Sequence, residues 1–152
     1  MTYRLSTRSY QSLSGVHPDL VAVVKRAISI TEQDFAVTEG IRHIERQRQL
    51  VAKGASKTMN SRHLTGHAVD LVPWPISWDW EDFYPIADAM KTAAEELGVA
   101  ITWGGAWHLT PFNDYKGVAK EAYNDYVDLR RSQGKTPFGD GPHFQLSRRK
   151  YP

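Results

Sequence analysis

Six histidines and no cysteine set the terms for any metal chemistry in this chain. Without thiolates, a metal has to be held by imidazole, carboxylate or backbone oxygen, and no disulfide framework can form. Two short segments carry the residue types that matter. In the first, His63 stands just before a Thr-Gly turn and Asp70 lies in the apolar run beyond it, so the chain can bring an imidazole and a carboxylate to one point. A third ligand from elsewhere would complete a catalytic zinc site with an open position for water. Spacing alone equally admits a plainer reading, in which His63 faces solvent and Asp70 caps a loop. In the second segment, Asp140-Gly-Pro-His143 sets another carboxylate three residues before another histidine, with Gly141 and Pro142 fixing the local path. His67 falls on the strand face opposite Asp70 and is assigned no metal role, which leaves His108 as the spare candidate.

These side chains have to be positioned by regular elements, and the apolar pattern supplies them. His17 to Thr31 places Leu20, Val21, Val24, Ala27 and Ile28 at helical spacing, with Pro18 in a tolerated first-turn position. Phe35 to Glu39 reads as a short strand stopped by Gly40, and Ile41 to Lys53 as a helix closed by Gly54. Arg42 therefore sits where a strand hands over to a helix. Ala55 to Asn60 is a polar loop, and His67 to Pro73 a strand entered through Gly66. Trp78 to Leu97 carries the main core stripe and ends at Gly98. Val99 to Trp103 gives a third strand, Lys116 to Gln133 a charged helix and Gly141 to Ser147 a last strand. The expected fold class is α+β, a single domain over residues 1–152. Its antiparallel sheet, from strands near residues 35, 67, 100 and 142, packs on the helices near 17 and 79. Strand order does not follow from the pattern.

Composition narrows the function classes. At 152 residues the chain is long enough to bury ~70% of its unfolded surface, and its 41% hydrophobic and 24% charged fractions are those of a globular protein. A formal charge of +2 with Arg148, Arg149 and Lys150 clustered near the end suits an anionic surface. A nucleic-acid reader would carry a denser basic patch or a recognisable motif, so no nucleic-acid partner is expected. No apolar stretch follows the charges of MTYRLSTRSYQSLSG, and no later run approaches a membrane span. Neither a signal peptide nor stable membrane insertion is expected.

The segment SRHLTGHAVDL, from Ser61 to Leu71, matches the Ser-x-His-x-x-Gly-x-Ala-x-Asp signature of the LAS-type zinc metallopeptidases. That family includes D-alanyl-D-alanine peptidases and phage L-alanyl-D-glutamate peptidases. DGPHFQL, from Asp140 to Leu146, resembles its second signature, an acidic residue three before the last zinc histidine. EGIRHIERQ, from Glu39 to Gln47, is similar to its Gly-x-Arg segment, and ITWGGAW, from Ile101 to Trp107, to its Trp-Gly-Gly strand end. The resemblance implies a hedgehog/DD-peptidase-like fold with Zn2+ on His63, Asp70 and His143. It also implies Asp140 as general acid/base, Arg42 orienting substrate or stabilising the oxyanion, and Gln47 and Ser56 in the substrate pocket. Two departures stand out: Ala106 occupies a position that is commonly acidic in endolysin-like members, and residues 113–137 read as a helical insertion, either beside the cleft or a surface decoration.

In function, the resemblance implies a phage or prophage endolysin. Such an enzyme would cleave the L-alanyl-D-glutamate bond of peptidoglycan stem peptides as a monomer, held in the host cytoplasm before lysis and acting on the periplasmic wall. The nearest alternative is a D-alanyl-D-alanine carboxypeptidase or dipeptidase with the same ligands. A zinc-bearing domain that binds without catalysing is the reading from a different class.

Overall fold

The computed structural model describes residues 2–56 and 58–152. Helix α1 (Thr7–Ser12) is followed by α2 (Pro18–Ile30), strand β1 (Phe35–Glu39), α3 (Ile44–Ala52) and β2 (Ala68–Pro73). Then come α4 (Trp80–Leu97), β3 (Ile101–Trp103), α5 (Ala119–Ser132) and β4 (His143–Leu146). The strands form one antiparallel sheet in the order β1-β2-β4-β3. The α+β class, the four strands and the two core helices are as the sequence pattern implies.

Local chemistry accounts for the ends of these elements. His17 caps α2, its Nδ1 accepting the Asp19 amide at 3.1 Å ahead of Pro18 in the first turn. Asp79 caps α4 in the same way through the Glu81 amide at 3.0 Å, and Gly98 closes that helix in the left-handed conformation. Helix α3 begins at Ile44 rather than Ile41, because Gly40 to His43 form a turn in which the Arg42 amide donates to the His63 carbonyl at 2.9 Å. Helix α1 is too short for its periodicity to register in sequence. It starts where Ser6 Oγ accepts the Ser9 amide, and Ser9 Oγ in turn accepts the Val37 amide at 3.0 Å, covering part of the outer edge of β1.

The sheet separates core from site by its alternation. Phe35 and Val37 of β1, Val69 and Leu71 of β2, Phe144 and Leu146 of β4, and Ile101 and Trp103 of β3 are all buried in one core cluster. From α2, Leu20, Val23, Val24, Ala27 and Ile28 join them; from α4, Ile86, Ala87, Met90, Ala93 and Ala94. The other face of β2 and β4 carries Ala68 and Asp70, His143 and Gln145, which are direct cross-strand partners. A register shift between Val37 and Glu39 brings Glu39 opposite Asp70, on the same face, where regular alternation would have sent it toward the core.

Candidate metal centre and cleft

His63 is delivered by a short 3-10 turn, Arg62–Thr65, which Ser61 Oγ opens by accepting the His63 amide at 3.3 Å and Gly66 closes at φ 76. Glycine is required there twice over: the backbone is left-handed, and a Cβ would meet the Gly15 carbonyl oxygen at 2.8 Å. His143 and Asp70 face each other across the β2–β4 ladder. His63 Nε2 lies 3.2 Å from Asp70 Oδ1, and His143 Nδ1 lies 3.5 Å from the same oxygen. The two rings meet edge to face, with centroids 5.0 Å apart.

This donor set suits a metal. One ligand atom from each of the three residues lies within 4.8 Å of the others, and among the described residues this is the group of its kind. Two tetrahedral ligands at ~2.0–2.1 Å from zinc stand about 3.3–3.4 Å apart, and the 3.2 and 3.5 Å separations match that spacing. Two neutral imidazoles and one carboxylate leave a fourth position open. Burial works against charge on Asp70, yet hydrogen bonds from His143 and His63 outweigh it and hold the carboxyl well below the ordinary range. Burial also disfavours charge on His143, but the hydrogen bond and charge of Asp70 raise it overall, with Asp140 adding to the effect.

Around this centre opens a cleft of about 540 Å³ whose walls include Arg42, Ser56, Trp107, Phe138, Asp140 and Arg148. Asp140 is pinned from both sides: its amide donates to Gly104 O at 2.8 Å, and its carbonyl accepts the His143 amide at 3.1 Å. Gly104 has to be small, because a Cβ there would meet the Asp140 carbonyl oxygen at 2.3 Å. Burial pushes the Asp140 carboxyl up and the charge of Asp70 adds to this, while His143, His63 and Arg42 pull in the opposite direction.

Arg42 is held tightly. Its Nε and Nη2 donate to the two oxygens of Glu39 at 2.5 and 2.8 Å, and Nη1 donates to Gln47 Oε1 at 2.7 Å. Nη2 also stands 3.8 Å from Asp70 Oδ2. Burial lowers the tendency of Arg42 to carry charge, but its pairing with Glu39 more than restores it. Gln47 is fully buried and does not line the cleft; its Nε2 donates to Ser56 Oγ at 2.9 Å and to the Thr58 carbonyl. Of the two pocket candidates, then, Ser56 borders the cleft and Gln47 braces Arg42 from behind.

The remaining sequence candidates lie elsewhere. His67 Nδ1 pairs with Thr65 Oγ1 at 2.6 Å and its ring leans on His17. His108 stacks on Tyr126 and is not in the metal-competent group. Asp114 is exposed on a separate 3-10 turn. Ala106 is fully buried in the core, where a carboxylate would need a partner. Sequence reasoning does not single out Glu39 or Trp107. Glu39 sits three residues before Arg42, a spacing that could have suggested the pair, though only the register shift turns it to the site face. Trp107 lies with its ring 5.3 Å from that of His143, and its Nε1 donates to Phe138 O at 2.9 Å.

Comparison with known proteins shows the family to which the chain belongs. The family model described as phage L-alanyl-D-glutamate peptidase matches residues 1–146. The L-alanyl-D-glutamate peptidase of Escherichia phage T5 is 31% identical over 138 residues, covering 85% of this chain and 99% of that protein. The crystal structure of the Serratia marcescens L-Ala D-Glu endopeptidase ChiX superposes with a TM-score of 0.73 at 39% identity, covering 98% of this chain and 94% of the other. The chain belongs to the phage L-alanyl-D-glutamate peptidase family.

Proposed function

We propose that the cleft hydrolyses the amide bond between L-alanine and D-glutamate in peptidoglycan stem peptides, with Zn2+ held by His63, Asp70 and His143. The observation that carries this is the convergence of two imidazole nitrogens on one Asp70 oxygen, at zinc-ligand spacing, at the base of an open cleft. Held by these three residues, zinc would supply Lewis-acid chemistry, polarising a carbonyl and making water a stronger nucleophile near neutral pH.

The chain's own residues do the rest. Asp140 takes the proton of the attacking water on a carboxylate oxygen and returns it to the leaving amine nitrogen, a role that its partial burial and raised proton affinity suit. Arg42, fixed by Glu39 and Gln47, presents its remaining N–H groups to a substrate oxygen and strengthens as negative charge develops there. Gln47 acts by holding Arg42, Ser56 borders the bound peptide, and Trp107 and Phe138 form an apolar wall. Arg46 and Arg148 line the same cleft and suit the free carboxylates of a stem peptide. Among the described residues no helix is long and apolar enough to cross a membrane. In the same proposal the protein works as a monomeric phage or prophage endolysin, gathering in the host cytoplasm until the wall is exposed to it.

Mass spectrometry of fragments from purified peptidoglycan tests the reading. New N-terminal D-glutamate is the expected product. Released D-alanine would mean trimming at the stem's end, and an undigested wall would mean that the domain binds without cutting.

A further inference from the structure

Every imidazole that binds a metal has to offer a bare nitrogen, and the neutral ring has one proton to place on the other. At His63 the main chain offers the second acceptor: Nδ1 lies 2.8 Å from the Gly40 carbonyl oxygen, which can only accept, while Nε2 faces Asp70 at 3.2 Å, so a proton kept on Nδ1 frees Nε2 to coordinate. At His143 the geometry is reversed, since Nδ1 faces Asp70 and Nε2 points away. Among the described residues, the hydrogen-bond partner of that Nε2 is a side chain, Gln145 Oε1 at 2.8 Å.

We propose that Gln145 is a positioning residue for the metal centre, its side-chain oxygen keeping the proton of His143 on Nε2 so that Nδ1 is free to coordinate. The inference rests on the zinc reading above and extends it to a residue outside the ligand set.

The strand places Gln145 for this. Two residues after His143 on β4, it shares His143's face, and its cross-strand partners there are Ala68 on β2 and Thr102 on β3. Ala68 is fully buried and reaches no further than a methyl group. The glutamine amide can therefore fold back along its own strand toward the imidazole.

The energetics make the hydrogen bond necessary rather than incidental. His143 is buried between two acceptors that compete for a single proton, Asp70 Oδ1 at Nδ1 and Gln145 Oε1 at Nε2, and a carboxylate is a stronger acceptor than an amide. Left to that competition, the neutral ring would place its proton on Nδ1, between itself and Asp70, and the lone pair needed for the metal would point the wrong way. An acceptor on Nε2 shifts the balance and satisfies an N–H that would otherwise be buried without a partner. A neutral amide does this without adding a third negative charge beside Asp70 and Asp140.

The test uses the full chain, metal-free and uniformly 15N-labelled, with long-range 1H–15N correlation of the histidine rings recorded above their titration range. A competition titration of Zn2+ against a chromophoric chelator runs alongside. In the wild type, His143 is expected to carry its proton on Nε2 and His63 on Nδ1. Gln145→Leu should move the His143 proton wholly or partly to Nδ1 and weaken zinc binding by about 10- to 100-fold. Gln145→Asn, one methylene short of the ring, should behave like Gln145→Leu, while Gln145→Glu should restore the wild-type tautomer.

A wild-type His143 protonated on Nδ1 overturns the proposal without any variant, so it stays decidable even if Gln145→Leu does not fold. So does a folded Gln145→Leu with unchanged tautomer and zinc affinity. Failure of the zinc reading would look different: the wild type would take up no Zn2+, with the tautomers still legible.

Discussion

Asp140 and Asp114 each stand two residues after a phenylalanine, yet only Asp140 lines the cleft. The difference lies in what fixes them. Asp140 is anchored through Gly104 and through its own bond to His143, whereas Asp114 is exposed on a turn. Asp140→Asn should therefore lower kcat by ~10²-fold or more with zinc still bound, and Asp114→Asn should leave turnover and zinc content unchanged. Steady-state kinetics with metal analysis on both variants checks this, and the reverse pattern would move the acid/base role to Asp114. A second expectation concerns the proton on His143. In the metal-free chain the bond and charge of Asp70 overcome burial and raise its proton affinity, so the proton is held to higher pH than on an ordinary histidine near ~6.5. Zinc must expel that proton, so zinc affinity should start to fall at a pH above ~6.5 and keep falling as pH drops. Asp70 stays ionised through that window because its own carboxyl is held far lower. Zinc titrations at a series of pH values measure the onset; a fall that begins only well below that point would remove Asp70's influence on His143.

Among the elements, the connections matter more than the strands they join. The 3-10 turn after Ser61 puts His63 over the sheet, and its left-handed exit at Gly66 rests against Gly15, the loop before α2. Gly66→Ala should cost about 1–3 kcal/mol in strained backbone, with the Gly15 contact adding to it. Urea denaturation measures the loss, and a midpoint equal to the wild type's would mean that the turn adapts freely. Helix α5 shows how the 113–137 segment bears on the site. Ala119, Ala122 and Tyr126 are buried, Tyr123 stacks on Trp80 of α4 at 4.0 Å, and the Ala119 amide donates to Asp88 at 2.7 Å. Tyr126 Oη accepts the Phe138 amide at 3.2 Å and donates to the Phe138 carbonyl at 3.3 Å, while Phe138 forms part of the cleft wall. We propose that this segment buttresses the cleft through Tyr126 and Phe138 instead of decorating the surface.

For the whole molecule, the candidate metal centre ties together parts of the chain that are far apart in sequence. His63, Asp70 and His143 come from a turn, β2 and β4, and the last of these strands is central in the sheet. A metal that binds only the folded chain stabilises it by mass action, about 4 kcal/mol at a free concentration of ~1,000 Kd. Saturating Zn2+ should thus raise Tm, and chelation should reverse the shift. Differential scanning calorimetry reads both, and a Tm indifferent to zinc would contradict a site shared between these segments. His63→Ala should lose the shift along with the metal.

Much of the molecule is determined by local sequence. The helices at Pro18–Ile30 and Trp80–Leu97 are legible because a single apolar stripe at helical period, with a cap at its start, has one way to be buried. Asp70 stands out because a carboxylate inside an apolar strand needs a partner, and Gly66 and the Asp140–His143 link are visible as local backbone constraints. What the tertiary structure alone decided is everything that depends on register between strands distant in the chain. The strand order, the pairing of Asp70 with His143, the bulge that turns Glu39 toward Arg42 and the different ring nitrogens that His63 and His143 turn to Asp70 belong to that class. Local sequence sets which face a side chain takes along its own strand, but the partner across the ladder is chosen by global burial, since a one-residue slip would exchange core and site faces.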